Sequence, residues 1–292
     1  MRGNAAMHDL IAPSELGAVL QLLAAEPGAW TPIAGGTELM VAFSAGHLAA
    51  PKLVSLWGIP DLRSIGVTPA SISIGAAATF LDLRRNATIA SEFPLLAKAA
   101  SWIGSVANQG RATLGGNLVN GSPAADSSPA LLAYDADIEI ISVRGRRRVP
   151  YSAFHTGYKR NVLLPDELLY AIHLPRRFAR HASYLRKVGT RRAMAIAKVA
   201  LGATALLENG VVREIRLGAA SLAPFPTRLW QTEAALLGQT VTRETMQSAH
   251  PALLAEIKPI NDIRSTAEYR RQVAANLLDE FLLSLNPEES QS

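Results

Sequence analysis

The stretch "WTPIAGGTELM", residues 30–40, constrains the fold more than any other. Trp30 to Ala34 reads as a short buried strand, Gly35-Gly36 ends it abruptly, and a helix follows from near Glu38. Upstream, Leu16, Val19, Leu20 and Leu23 share one face at helical spacing, which predicts a capped amphipathic helix after Pro13-Ser14. Helix, strand, glycine turn, helix is the layout of an alternating α/β unit. Glycine tolerates positive φ and lets backbone N–H groups approach a ligand with no side chain in the way. Several such groups turned inward form a nest for an anion, and a helix N-terminus behind them adds a favourable dipole. One Gly-Gly after a strand is ordinary turn chemistry. A second one, in "ATLGGN" at residues 112–117 and again flanked by threonine, shifts the reading toward a diphosphate held from both sides.

Further along, "KLVSL" and "SISIGAA" are strand-like, with turn signals at Gly58-Ile59-Pro60 and Thr68-Pro69. A helix is expected over Phe93 to Ala107, leading straight into the second glycine pair. "ADIEIISV" and "RRVPY" flank Arg144-Gly145 as a hairpin with a basic tip, and "ELLYAIHLP" is a strand stopped by Pro175. From about Arg180 the pattern restarts with a loop, followed by "AIAKVALGATALLE", the turn Asn209-Gly210 and "VVREIRLGAA" as an antiparallel meander; helices dominate after Thr232. A boundary near residue 178 follows, giving domains at 1–178 (subdomains roughly 1–57 and 58–178) and 179–285, with a tail at 286–292.

Composition narrows the chemistry. With 292 residues, 49% of them hydrophobic, the chain can bury a sizeable core. It has no cysteine, so it can hold neither a disulfide nor an iron–sulfur cluster on its own thiolates, and tetrathiolate zinc is excluded too. Any redox chemistry must use a bound organic cofactor or a partner's metal. The six histidines show no metal-ligand spacing, and neither a G-x-S-x-G elbow nor carboxylates paired near a nucleophile occur. GxGxxG and Walker sequences are absent as well, which removes the Rossmann dinucleotide fingerprint and the P-loop. No run approaches the ~20 apolar residues of a membrane span, and the chain is expected to be cytoplasmic and not membrane-bound.

The formal charge of +5 is unevenly placed: no acid lies between Glu167 and Glu208, where Arg176, Arg177, Arg180, Arg186, Lys187, Arg191, Arg192 and Lys198 all fall. Such a stretch is either a solvated face or a site for phosphates or an acidic partner. Without interleaved aromatics for base stacking, nucleic acid is not the expected partner.

Four segments in order, "PIAGGTELM", "ATLGGNLVNGSPAADSSPALLAYDA", "RKVGTRRAMAIAKV" and "NDIRSTAEYRRQVA", resemble the FAD-binding middle subunit of the molybdenum hydroxylases, the xanthine dehydrogenase and carbon monoxide dehydrogenase family. The likeness runs from about Met7 to Leu283. It implies an α+β fold: a vanillyl-alcohol-oxidase (PCMH)-type FAD-binding domain of two α/β subdomains, followed by a C-terminal α+β domain of antiparallel sheet plus helices. By the same resemblance Pro32, Ile33, Ala34, Gly35, Gly36, Thr37, Glu38 and Leu39 wrap the FAD diphosphate through backbone N–H groups. Thr113, Gly115, Gly116 and Asn117 form a second glycine turn on its other side. Asp126 matches an acid that hydrogen-bonds the cofactor, and a carboxylate suits a ribose hydroxyl or the adenine amine; the alternative is an N-cap for a helix beginning near Ser127. Ile103 and Leu169 fall where the family packs apolar side chains against the cofactor, though both also fit a protein core.

Lys187 aligns with a lysine near the isoalloxazine, where a cation close to N1 and the C2 carbonyl would stabilise the anionic reduced flavin, the alternative being a solvated lysine. One departure is Ala112, where the family usually has glycine. The resemblance further implies an electron-transfer role without an acid–base catalyst. The partners would be a molybdopterin-binding large subunit and a 2Fe-2S small subunit in a heterotrimer, either single or dimerised, with NAD+ or another molecule as acceptor. Two other readings stay open: a structural subunit that has lost FAD, and a free-standing flavin reductase.

Overall fold

A computed structural model describes residues 3–191 and 194–286. Arg192 and residues 287–292 of the expected tail lie outside the described residues. The chain forms three main sheets and a small hairpin. In the first sheet, β1 (Asp9–Ile11), β2 (Trp30–Ile33) and β3 (Lys52–Ser55) are parallel, in the order β1-β3-β2. Helix α1 (Leu16–Ala25) supplies the crossover between β1 and β2, and its Val19, Leu20 and Leu23 are buried at the spacing the sequence predicts. Its N-cap is Glu15, with no side-chain capping bond, rather than Ser14. Helix α2 (Leu39–Ser44) follows the Gly35-Gly36 turn.

The second sheet is antiparallel, built from β4 (Ile65–Val67), β5 (Ser71–Gly75), β6 (Asp137–Ser142), β7 (Gly145–Pro150) and β10 (Leu168–Pro175) in the order β4-β5-β10-β6-β7. Between β7 and β10 the chain forms a hairpin of β8 (His155–Gly157) and β9 (Arg160–Asn161). Helices α3 (Phe80–Arg85), α4 (Ala87–Glu92), α5 (Pro94–Trp102), α6 (Val106–Gln109), α7 (Leu114–Asn120) and α8 (Ser128–Ala133) lie between β5 and β6. They supply much of a core with Phe80, Phe93, Leu96, Leu131 and Tyr134 among its members. The helix expected over Phe93 to Ala107 is therefore two. Pro94 starts α5, and Ile103, with extended ψ, together with Gly104 at φ +44° breaks the chain before α6.

The third sheet, in the order β11-β12-β13-β14, joins β11 (Ala182–Val188), β12 (Val199–Glu208), β13 (Val211–Ala220) and β14 (Thr227–Arg228). Residues read from the sequence as a loop after Arg180 are thus strand β11, paired along its length with β12. Helices α9 (Trp230–Leu236), α10 (Arg243–Glu256) and α11 (Ala267–Leu285) close a second core on this sheet.

Helix α8 ties the two halves together by lying on β12 and β13. Buried Arg228 donates to the Leu132 carbonyl, to Asp135 at 2.5 Å and to Glu233, so one guanidinium spans the junction. Buried charges survive only when paired and hydrogen-bonded, and here every arm of the guanidinium has an acceptor.

Candidate functional site

Between the first two sheets lies a cleft of about 490 Å³, within the roughly 300–1,000 Å³ of organic-ligand sites. One wall is the segment from Thr31 to Leu39. Strand β2 ends at Ile33, whose carbonyl accepts from Leu56 N–H at 2.8 Å, and the chain then turns through Gly36 at φ +73°. A residue with a side chain would be strained there. Gly35 is required for a different reason: a Cβ would stand 1.7 Å from the Arg111 carbonyl oxygen, so the turn is pressed against the chain just before the second glycine pair. Among the described residues, the N–H groups of Gly35, Gly36, Thr37, Glu38 and Leu39 donate to no other protein group. Backbone donors seldom go without a partner when a ligand covers them. Consecutive free N–H groups along a cleft wall have the donor chemistry an anionic oxygen needs. Helix α2 has six residues, so the case rests on these amides and not on a dipole.

The opposite wall differs from the expected turn. Leu114 to Asn120 is a helix, and neither Gly115 nor Gly116 has positive φ. Thr113 is its N-cap, its hydroxyl accepting from Gly116 N–H at 3.1 Å. Gly115 N–H donates to the Ala76 carbonyl at 2.8 Å, and Asn117 N–H to the Thr113 carbonyl at 3.0 Å. The amides of this motif are thus used up inside the protein, and it cannot be a second nest. What it offers the cleft is a wall without side chains at Gly116, the Thr113 hydroxyl and the Asn117 amide. Asn117 Oδ1 accepts from the Ser127 hydroxyl at 2.6 Å, which fixes the amide and leaves Nδ2 to donate.

Of the residues singled out from sequence, Pro32, Ala34, Gly35, Gly36, Thr37, Glu38, Leu39, Ile103, Thr113, Gly115, Gly116, Asn117 and Leu169 line this one cleft. Ile33 does not; its side chain packs behind Gly36. Asp126 and Lys187 stand outside the lining too, and they are bonded to each other: Lys187 Nζ meets Asp126 Oδ2 at 2.7 Å, with 8% and 12% of their side chains exposed. Burial pushes the Asp126 carboxyl up from its usual range, and the Lys187 ammonium pulls against that rise without cancelling it. Asp126 Oδ1 is buried without a partner.

Asp126 does not cap a helix, since the N-cap of α8 is Ser127 and carries no side-chain capping bond. Nor is Lys187 solvated. The Trp102 ring, next to Ile103 of the cleft, lies with its centroid 5.7 Å from Lys187 Nζ. In an extended dinucleotide, the adenosine and the isoalloxazine are at opposite ends. Two side chains 2.7 Å apart are too close together to reach one end each.

Comparison with known proteins identifies the family of the chain. Residues 5–177 match the family described as the FAD binding domain in molybdopterin dehydrogenase. Residues 184–285 match the CO dehydrogenase flavoprotein C-terminal domain. The chain belongs to this family of flavoprotein subunits. It is 33% identical to the putative xanthine dehydrogenase FAD-binding subunit of Escherichia coli (strain K12), over 86% of each chain. It is 27% identical to the carbon monoxide dehydrogenase medium chain of Hydrogenophaga pseudoflava, over 93% of this chain and 94% of that one. A solved structure of carbon monoxide dehydrogenase from Hydrogenophaga pseudoflava superposes with TM-score 0.91 at 28% identity, covering 96% of both chains.

The protein is thus an FAD-binding oxidoreductase subunit of the molybdenum hydroxylase family, with the PCMH-type FAD-binding domain and C-terminal flavoprotein domain that the resemblance implied. The cleft also uses residues that sequence reading passed over. Ala76 and Ala77 follow β5, Asn120 ends α7, and Asn161 with Leu163 to Pro165 lead from β9 toward β10. Asn120, at the end of a glycine-rich helix that also holds Asn117, was a signal available in the sequence, whereas Asn161 was not. Ala76 and Ala77 carried none, because small apolar residues after a strand look like any core.

Among the described residues no helix is long and apolar enough to cross a membrane, and no group of three or more His, Asp or Glu stands where it could hold a metal ion.

Proposed function

We propose that this chain carries electrons between a partner's 2Fe-2S clusters and NAD+ or another acceptor, within a complex that also holds a molybdopterin-binding subunit. The supporting observation is the cleft wall from Gly35 to Leu39, five consecutive amides free to donate to a diphosphate. FAD held there supplies exchange between one-electron and two-electron carriers.

The chain's own residues have defined tasks in this reading. The Gly35–Leu39 amides hold the diphosphate, Gly116 admits it, and Thr113 and Asn117 donate from the other wall. Ile103 and Leu169 exclude water from the apolar part of the cofactor. Lys187, held by Asp126, would place a positive charge near the isoalloxazine, where it would favour the anionic reduced form. The carboxylate acts there by positioning that charge, not by binding adenosine. Residues 1–178 would form the FAD-binding domain and 179–285 the domain that brings Lys187 to it. With no cysteine, the chain must receive electrons from clusters on other polypeptides.

The test is to purify the complex through a tag on this chain. We expect flavin absorbance, two further polypeptides, and bleaching of the flavin bands by NADH without oxygen. A flavin that NADH leaves oxidised while the complex still turns over would rule out NAD+ as the acceptor. A colourless chain that ignores added FAD would instead support a purely structural subunit, and a flavin-replete chain that copurifies with nothing would support a free-standing reductase.

A further inference from the structure

The cleft must accept a dianionic diphosphate, yet among the described residues that line it the charged ones are both acids, Glu38 and Glu167. Glu167 is neutralised from behind: Arg147 donates to its two carboxylate oxygens at 2.8 and 2.6 Å, and Leu164 N–H adds a bond at 2.9 Å. Those bonds hold its carboxyl below the usual range, Arg147 foremost against the opposing effect of burial. Glu38 has no such arrangement. It lies within the amide segment itself, with 61% of its side chain exposed, and its ion-pair partner is Lys159 at 3.6 Å.

Lys159 comes from the other side of the cleft. It sits at the tip of the β8–β9 hairpin at φ +52°. Two contacts fix that hairpin against the end of α7. A Cβ on Gly121 would stand 3.1 Å from Lys159 Cα, and the backbone there has φ +61°, so glycine lets the tip seat closely without strain. Asn161 Nδ2 donates to the Val119 carbonyl at 3.3 Å, and Val119 and Asn161 both line the cleft. The Lys159–Glu38 pair therefore crosses the cleft rim, joining the amide wall to the hairpin. At 3.6 Å it is an ion pair without hydrogen-bond contact, and with 47% of the lysine side chain exposed the ammonium is free to change partner.

We infer that Lys159 is a cofactor-binding residue: when FAD enters, its ammonium moves from Glu38 to the diphosphate and closes the rim over it. The inference rests on FAD occupying this cleft. A diphosphate on the Gly35–Leu39 amides adds negative charge beside Glu38, which makes the bare Lys159–Glu38 pair insufficient. An ammonium on a long flexible stem can bridge the carboxylate and a phosphate oxygen together.

The experiment measures FAD dissociation constants by flavin fluorescence on the deflavinated protein, at about 0.01 M and about 1 M salt, where the screening length falls from about 30 Å to about 3 Å. Asparagine tolerates left-handed backbone, so Lys159→Asn removes the charge without straining the hairpin tip. We expect Lys159→Asn to weaken FAD binding roughly tenfold at low salt and less than about threefold at high salt. Lys159→Arg should recover the wild-type affinity to within about threefold, and Glu38→Gln should tighten binding at low salt.

Equal affinities for wild type and Lys159→Asn at both salt concentrations would overturn the proposal. So would a loss of the same size at both, since that marks damage to hairpin packing and not a missing charge. A wild-type protein that takes up no FAD would overturn the cofactor assignment itself, and this inference with it.

Discussion

Gly116→Val separates the cofactor's use of glycine from the fold's. A Cβ at Gly116 would meet one atom within 4 Å, the Thr113 hydroxyl at 2.8 Å, and otherwise faces the cleft. The fold therefore loses little. Disturbing the Thr113 cap costs about 1 kcal/mol, and replacing glycine in a helix returns a few tenths. For a chain of this size that is a fall in the apo melting temperature of about 2–4 °C. With FAD in the cleft as proposed, the isopropyl group would occupy space the dinucleotide needs, and an overpacked contact of about 3 kcal/mol corresponds to about a hundredfold weaker FAD binding.

Gly35→Ala is the control. Its Cβ would fall 1.7 Å from the Arg111 carbonyl oxygen, with backbone on both sides, so the chain must shift and stability should drop by about 3 kcal/mol before any ligand is considered. The assays are flavin content by absorbance, FAD affinity by fluorescence, and apo melting by calorimetry. An FAD-replete Gly116→Val protein, or a Gly35→Ala protein that melts like wild type, would refute this reasoning.

Asp135 accepts from Arg177, Arg216 and Arg228. Burial alone would raise its carboxyl, but Arg216 and Arg228 outweigh that and hold it below the usual range. Its contribution to stability is therefore complete above the unfolded value near 3.9 and is lost as pH falls through the depressed folded value. Denaturant melts at several pH values should show Asp135→Asn, which suits the φ of +48° there, less stable than wild type at neutral pH, with the gap narrowing in acid. Tyr151→Phe removes the hydroxyl that donates to Ser128 at 2.6 Å and lies 3.3 Å from His155 Nε2 in a buried chain. A loss of about 1–3 kcal/mol in chemical denaturation is expected, and none would show that the chain contributes nothing. Lys187→Met leaves the Asp126 carboxylate buried and unpaired, so we expect a loss of about 3–5 kcal/mol, partly recovered in Lys187→Met/Asp126→Asn, together with a lower flavin reduction potential in both variants. An unchanged potential would detach Lys187 from the flavin.

The amphipathic face of α1 and the strand-turn-helix at Trp30 to Ser44 were legible because each is local: a 3.6-residue period, and a glycine pair between an apolar run and a helix. Strand β11 was not. Its Arg186 and Lys187 resemble a solvated loop, and what makes it a strand is the ladder to β12, from Ala182 opposite Ala205 to Val188 opposite Val199. The burial of Lys187 was hidden for the same reason. Its carboxylate partner is 61 positions away in the sequence, and no spacing rule connects them. The break at Ile103-Gly104 had a visible cause in the glycine, but Leu95, Leu96, Ala99 and Ala100 kept a helical pattern up to it.

The glycines show where local reading ends. A Gly-Gly pair states that something comes close to the backbone, and it does not state what. At Gly35 it is the Arg111 carbonyl from 76 positions on, at Gly115 it is Ala76, whose Cβ an added side chain would meet at 2.6 Å, and at Gly36 it is the chain's own positive φ. Of the four, Gly116 alone spends its missing side chain on open cleft. The two motifs look alike in sequence because both need bare backbone. They differ in function because the first leaves its amides free, while the second uses them on Thr113 and Ala76. In the proposed reading the first wall would grip a diphosphate with free amides while the second would offer only the Thr113 hydroxyl and the Asn117 amide, so an added charge on that side would strengthen its hold. The hairpin tip seated on Gly121 is where the fold delivers one.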